Sequence, residues 1–137
     1  IHVVVPLEQR QGWDTVKRFA SGLAKTLSAA EPDRFIAKST KAGRKGRIFI
    51  DWLRNERGAT AIAPYSPRAR KGAPVAVPVS WSELPRIDRA DKYNMKNLRT
   101  RLKRLKGNPW EDYDRIRRSI SGEALEFVEK NSVPGRN

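Results

Sequence analysis

Apolar and polar positions alternate in short runs along the chain. Ile1-His2-Val3-Val4-Val5-Pro6-Leu7 is apolar and rich in β-branched residues, which predicts a buried strand. A polar turn closes at Gly12. From Trp13 the apolar positions Trp13, Val16, Phe19, Ala20, Leu23, Leu27 and Ala30 recur at helical spacing, with Lys17, Arg18 and Lys25 on other faces and Pro32 marking a helix already ended. Phe35-Ile36-Ala37 fits a short helix or an extended piece, and Lys38 to Arg47, basic and glycine-containing, reads as a loop. Ile48-Phe49-Ile50-Asp51-Trp52-Leu53 predicts a second strand, apolar on both faces. Asn55-Glu56-Arg57-Gly58 is turn chemistry, and Ala59 to Ala63 fits the returning strand of a hairpin.

Pro64 to Gly72 reads as a loop. Val75 to Val79, interrupted by proline, reads as an edge. Trp81-Ser82-Glu83-Leu84 allows one helical turn, stopped by Pro85. Residues 94–106 predict a basic amphipathic helix with Met95, Leu98, Leu102 and Leu105 as the buried stripe, Lys96, Arg99, Lys103 and Lys106 as a cationic stripe, and Gly107-Asn108-Pro109 as its end. A last helix begins near Trp110 and breaks at Ser121-Gly122. Glu123 to Lys130 continues as another short helix, and residues 132–137 form a disordered tail. The sum is an α+β fold, a mixed or antiparallel sheet with flanking helices, in a single, partial domain spanning residues 1–137. Strict strand–helix alternation is absent. There is no Gly-x-Gly-x-x-Gly and no Walker A, and Ala42-Gly43-Arg44-Lys45-Gly46-Arg47 lacks the P-loop order.

Composition sharpens this. One domain is the expectation for 137 residues, and although only 38% are hydrophobic, they sit in runs able to form a core. No run reaches the roughly 18–20 residues of a membrane span, and Ile1 to Leu7 carries no basic n-region or cleavage site. An apolar strand at residue 1 without an initiator methionine fits a sequence that starts inside a larger polypeptide. The absence of cysteine excludes disulfides, thiolate nucleophiles and Cys-based zinc sites, and the single histidine excludes a His-rich metal site. With 29 Lys+Arg against 15 Asp+Glu the net charge is +14, a field suited to a polyanion. The cations cluster. Lys38, Lys41, Arg44, Lys45 and Arg47 form one group without an acid, and Lys96, Arg99, Arg101, Lys103, Arg104 and Lys106 form another.

Asp51 is the sharpest chemical signal. A carboxylate in mid-strand between Ile50 and Trp52 is costly unless paired. Arg47, four residues earlier, could pair it structurally. Alternatively, Asp51 is a Mg²⁺ or Mn²⁺ ligand at a phosphoryl-transfer site where arginines hold phosphates. Arg44, Arg54 and Arg68 lie at strand or loop edges, and the planar guanidinium suits phosphate oxygens. His2, near a strand start, fits plain packing as well as function. Asp112 and Asp114 point about 200° apart on a helix and more simply complement its dipole.

Read together, Ile1 to Leu7, Arg44-Lys45-Gly46-Arg47-Ile48-Phe49-Ile50-Asp51-Trp52-Leu53-Arg54-Asn55, Ala59-Thr60-Ala61 through Pro64-Tyr65-Ser66-Pro67-Arg68, Gly72-Ala73-Pro74-Val75 and Trp81-Ser82-Glu83-Leu84 resemble the polymerase domain of bacterial ligase D. This is the primase-type polymerase module of the non-homologous end-joining DNA ligases, in the archaeo-eukaryotic primase superfamily. The Asp-x-x-Arg-Asn and Pro-Tyr-Ser-x-Arg blocks carry the likeness, which covers roughly residues 1–115 and the C-terminal half of the family's RRM-like catalytic domain.

The resemblance implies a template-directed nucleotidyltransferase that adds nucleotides at DNA ends before ligation. Asp51 falls on the family's third metal carboxylate and is the implied catalytic and metal residue, for Mn²⁺ or Mg²⁺. His2, Arg44, Arg54 and Arg68 fall on nucleotide- and phosphate-binding positions. Lys38, Lys41, Lys45, Lys96, Arg99 and Lys103 are candidates for the DNA backbone. The family's Asp-x-Asp pair would precede Ile1, so the chain alone is expected to be inactive and to need the N-terminal half of the domain, in cis or in trans. Implied partners are primer-template ends with a 5′-phosphate, NTP or dNTP, a ligase domain and Ku, with no membrane. The implied location is the bacterial cytoplasm, at the nucleoid. Two other readings stand: a non-catalytic basic DNA-binding module, and a basic ribonucleoprotein subunit, which explains the charge but not Asp51.

Overall fold

The computed structural model describes residues 1–113 and 115–132. In chain order its elements are α1 (Trp13–Ala30), β1 (Phe35–Ile36), a 3-10 turn (Ala42–Arg44), β2 (Ile48–Phe49), a second 3-10 turn (Leu84–Arg86), α2 (Leu98–Arg104) and α3 (Gly122–Asn131). They fall into two compact units, Leu7–Thr60 with the residues from Arg118 onward, and Ile1–Pro6 with Ala61–Arg117. The class is α+β, as expected, but the sheet is a two-stranded parallel pair.

In the first of these units α1 forms where its period predicts. Asp14 sits in its first turn, where an acid complements the helix dipole, and the last turn closes with the Glu31 N–H donating to the Leu27 carbonyl, just ahead of Pro32. The face it buries is not the leucine stripe. Leu23 and Leu27 remain 40% and 38% exposed, whereas Gly22 and Ala24 are buried. Gly22 is where α3 approaches: a Cβ there would lie 2.7 Å from Val128 Cγ2. The Thr26 hydroxyl donates to the Val128 carbonyl at 3.3 Å, and Arg18 pairs with Glu129 at 2.6 Å. Ser121 caps α3 by accepting the Ala124 N–H at 3.1 Å. Gly22→Val forces the helices apart and is expected to cost about 1–3 kcal/mol as overpacking, read as a lower melting temperature of the full chain.

β1 and β2 pair in register Phe35 with Ile48 and Ile36 with Phe49. The connection carries the basic loop, pinned by Gly43, where a Cβ would meet Ile36 Cδ1 at 2.7 Å. β2 is shorter than predicted, so Asp51 lies just beyond the strand and not inside it. The hairpin return at Ala59 to Ala63 is irregular and exposed.

In the second unit the Ile1–Val5 run is not a buried strand: Ile1, Val3, Val4 and Val5 are exposed. Extended backbone needs a neighbour for its N–H and C=O groups, and pairing along this stretch of sequence begins only at Leu7, which belongs to the first unit and bridges to Arg118 there. Val75 is the buried anchor of this unit, bridging to Pro67, while its N–H donates to the Tyr93 carbonyl at 2.9 Å. Pro85 lies inside the 3-10 turn instead of stopping it, at a position where its missing N–H is not needed. The helix expected over 94–106 shrinks to α2, and its stripe is not buried, since Met95 and Leu102 are exposed. Between Trp110 and Ser121 the described residues form turns and irregular backbone instead of the expected helix, with the Trp110 and Tyr113 rings stacked at 4.9 Å. Asp114 and residues 133–137, with most of the expected tail, lie outside the described residues.

Candidate nucleotide and DNA interface

The basic loop and the segment after β2 place six predicted residues, Lys38, Lys41, Arg44, Lys45, Asp51 and Arg54, in one unit. Arg44, at the end of the first 3-10 turn, lays its guanidinium over the Phe49 ring at 3.9 Å and donates from Nη2 to the Ser39 carbonyl. The stacking fixes its plane. Asp51 is 3.1 Å from Arg54 Nε, with side chains 38% and 70% exposed. The expected Arg47 partnership is not formed, because Arg47 reaches back to the Pro32 carbonyl at 3.4 Å. Asp51 is therefore a solvent-facing carboxylate beside an arginine, and the desolvation argument for a mid-strand acid no longer applies. Lys38, Lys41 and Lys45 are all exposed on the loop. Behind Asp51, the Trp52 indole N–H donates to the Ala37 carbonyl at 3.1 Å, tying this segment to the end of β1.

His2 and Arg68 belong to the other unit, and both are exposed. Arg68 is set by a tight backbone arrangement. Its N–H donates to the Pro74 carbonyl at 2.8 Å, and the Tyr65 N–H donates to the Ala76 carbonyl at 2.6 Å. Tyr65 itself has φ +63°, a left-handed conformation that non-glycine residues adopt at a cost. The Pro-Tyr-Ser-x-Arg block thus coincides with local strain. Lys96, Arg99 and Lys103 are exposed on and beside α2.

One cluster was missed by sequence reasoning. Arg101, its side chain 9% exposed, lies over the Tyr93 ring at 4.3 Å. Its Nη1 donates to Glu83 and to the Tyr93 hydroxyl, and its Nη2 donates to Glu83 Oε2 at 2.9 Å and to the Pro78 carbonyl at 2.8 Å. The Tyr93 hydroxyl donates to the same Glu83. The signal was present: Arg101 falls on the face of Leu98 and Leu105, where a cation is out of place without a partner.

Burial alone would raise the Glu83 carboxyl, but the hydrogen bonds from Arg101 and Tyr93 and the Arg101 charge outweigh it and hold the group below its ordinary 4.5. Tyr93 is pushed above its ordinary 10.0 by burial and by its bond to Glu83, against Arg101. The Glu83 contribution to stability is present above pH 4.5 and lost as pH falls through its lowered folded value. The Tyr93 contribution is present below pH 10.0 and lost as pH rises through its raised one. At neutral pH Glu83→Gln is expected to destabilise by about 2 kcal/mol, the scale of hydrogen bonds to charged groups. Melts across pH should show that deficit shrinking on the acid side.

A divalent cation wants several oxygen ligands. Among the described residues there is no group of three or more His, Cys, Asp or Glu able to hold one. The chain's own donors around Asp51, one carboxylate beside a guanidinium, do not fit a metal by themselves. Among the described residues no helix is long and apolar enough to cross a membrane.

Fold and site define a basic α+β module with arginines and one carboxylate presented on loops. The chain matches the family model of the LigD primase-polymerase domain over residues 1–110. It is 48% identical over 122 residues to the multifunctional non-homologous end joining protein LigD of Pseudomonas aeruginosa, covering 88% of this chain and 14% of that protein. It is 37% identical over 84 residues to the protein of the same name from Mycolicibacterium smegmatis, covering 61% and 11%. To the bifunctional non-homologous end joining protein LigD of Bacillus subtilis it is 25% identical over 116 residues, covering 84% and 19%. The chain belongs to the LigD primase-polymerase domain family, and it spans under a fifth of the length of each of these relatives.

Proposed function

We propose that this chain is the C-terminal part of a nucleotidyltransferase domain that adds nucleotides at DNA ends before ligation, within a DNA repair protein of the end-joining type. The observation that carries this is the pairing of Asp51 with Arg54 on the Asp-x-x-Arg-Asn block, both open to solvent, in a chain of this family. The ion pair uses Arg54 Nε, which leaves the guanidinium's terminal nitrogens for phosphate oxygens. Arg44, in the same unit, is a further contact to phosphates of an NTP or dNTP, and His2 and Arg68 are the nucleotide- and phosphate-binding residues of the other unit. Lys38, Lys41, Lys45, Lys96, Arg99 and Lys103 track the backbone of the primer-template and its 5′-phosphate.

Asp51 contributes one carboxylate to a Mn²⁺ or Mg²⁺ site whose other carboxylates come from the N-terminal half of the domain. In this reading residues 1–137 are one partial domain, working with a ligase domain and Ku in the bacterial cytoplasm, at the nucleoid. The test is primer extension. The chain alone extends nothing, and the chain with the upstream half, in cis or as a separate polypeptide, adds nucleotides. Activity of the isolated chain would overturn the division of labour. Failure of the completed domain would favour the alternative, a non-catalytic basic DNA-binding module.

A further inference from the structure

Of the cations between Lys96 and Lys106, Arg101 stands apart: Lys96, Arg99, Lys103, Arg104 and Lys106 are exposed, whereas the Arg101 side chain is largely buried. Its two terminal nitrogens are both committed inside the unit, and its Nε is buried without a partner, so it offers nothing to a phosphate. The helix that carries it is weak on its own terms. Seven residues fall well short of the roughly 12–15 an isolated helix needs. Asn97 at its N-terminus makes no side-chain cap, and Leu102 on its apolar stripe is exposed. The residues just ahead of it are held by backbone bonds, the Met95 N–H donating to the Ala73 carbonyl at 3.1 Å and the Leu98 N–H to the Asn94 carbonyl at 2.9 Å. Within the helix itself, Arg101 adds a grip on Glu83, Tyr93 and the Pro78 carbonyl, which reaches back along the chain to the segment around the second 3-10 turn.

We propose that Arg101 is a positioning residue which, clamped by Glu83 and Tyr93, sets α2 so that Lys96, Arg99 and Lys103 lie in register along a DNA backbone, and that Glu83 therefore favours DNA binding although it is acidic. This rests on the reading that α2 tracks phosphates. It makes a prediction opposite in sign to charge counting. Removing an acid from a protein of net charge +14 should strengthen its attraction to DNA. Releasing the clamp should weaken it, because misaligned cations neutralise fewer phosphates.

The experiment measures binding of the full chain to a short duplex by fluorescence anisotropy over a range of salt concentrations, with circular dichroism and melts on each variant. Glu83→Gln is expected to weaken binding about tenfold and to flatten the salt dependence. Arg101→Lys, which keeps the charge but loses the planar fork, is expected to do the same. Tighter binding by Glu83→Gln, or unchanged binding by Arg101→Lys, overturns the proposal. If Glu83→Gln melts below the assay temperature, the affinity and salt slope of Arg101→Lys decide the matter. Arg99→Ala with Lys103→Ala serves as the control. If that pair changes neither affinity nor slope, the reading of α2 as a DNA-tracking face fails, and the clamp proposal falls with it. If the pair weakens binding while Glu83→Gln strengthens it, the clamp proposal alone falls.

Discussion

Asp51→Asn, placed in a domain completed by its upstream half, is expected to cut nucleotide addition by more than about a hundredfold while shifting stability by less than about 1 kcal/mol. The two halves of this expectation have separate sources. The stability half comes from the ion pair with Arg54, whose partners are both substantially exposed. Exposed pairs contribute little because water screens them and the side chains lose freedom in making them. Had Asp51 been buried against Arg47, one of the two readings its mid-strand position left open, breaking the pair would have cost about 3–5 kcal/mol, and a loss of activity could not have been told from a loss of fold. The activity half comes from the proposed role. A carboxylate helping to hold divalent metals at a phosphoryl-transfer site supports several kcal/mol of charge stabilisation, and about 1.4 kcal/mol is tenfold in rate. Primer extension run beside thermal melts separates the cases. Lost activity with an unchanged melt supports the site. Retained activity sinks it, whatever the melt shows.

What the sequence made legible follows how local each feature is. α1 was readable because period, flanking Gly12 and following Pro32 all act within a few residues. α3 was readable from its composition and the Ser121-Gly122 break, and the Ser121 cap is itself local. Strands were misread because they are made by partners. Ile1–Val5 has the composition of a buried strand yet lies exposed, and Ile48 to Leu53 yields only the two residues that Phe35 and Ile36 can pair. The candidate site divides the same way. The family blocks singled out Asp51, Arg54 and Arg68 as candidates, but the actual partner of Asp51 depended on where Arg47 points. The Glu83–Tyr93–Arg101 cluster joins residues distant in sequence, and nothing local to Glu83 announces a largely buried arginine at 101. The leucine stripe around it did carry a hint, and the cationic character of the segment hid it.

Replacing Lys96, Arg99 and Lys103 together with alanine is expected to weaken binding to duplex DNA ends by a similar factor on every sequence tested. The slope of log K against log salt should fall by about 0.9 for each lost phosphate contact, about 2.7 in all. All three side chains are exposed and none takes part in an ion pair among the described residues, so their removal should leave the fold in place. Arg101, which does hold the fold, is left out of the variant for that reason. The uniformity across sequences matters as much as the slope, because phosphate contacts fix register without reading bases. A loss confined to particular sequences would mean that α2 reaches base edges. An unchanged slope would mean that its cations face solvent when DNA is bound, leaving the backbone contacts to Lys38, Lys41 and Lys45. Those lie on the loop that also carries Arg44, so the same titration on a Lys38, Lys41 and Lys45 alanine variant assigns the phosphate contacts to one cluster, to the other or to both.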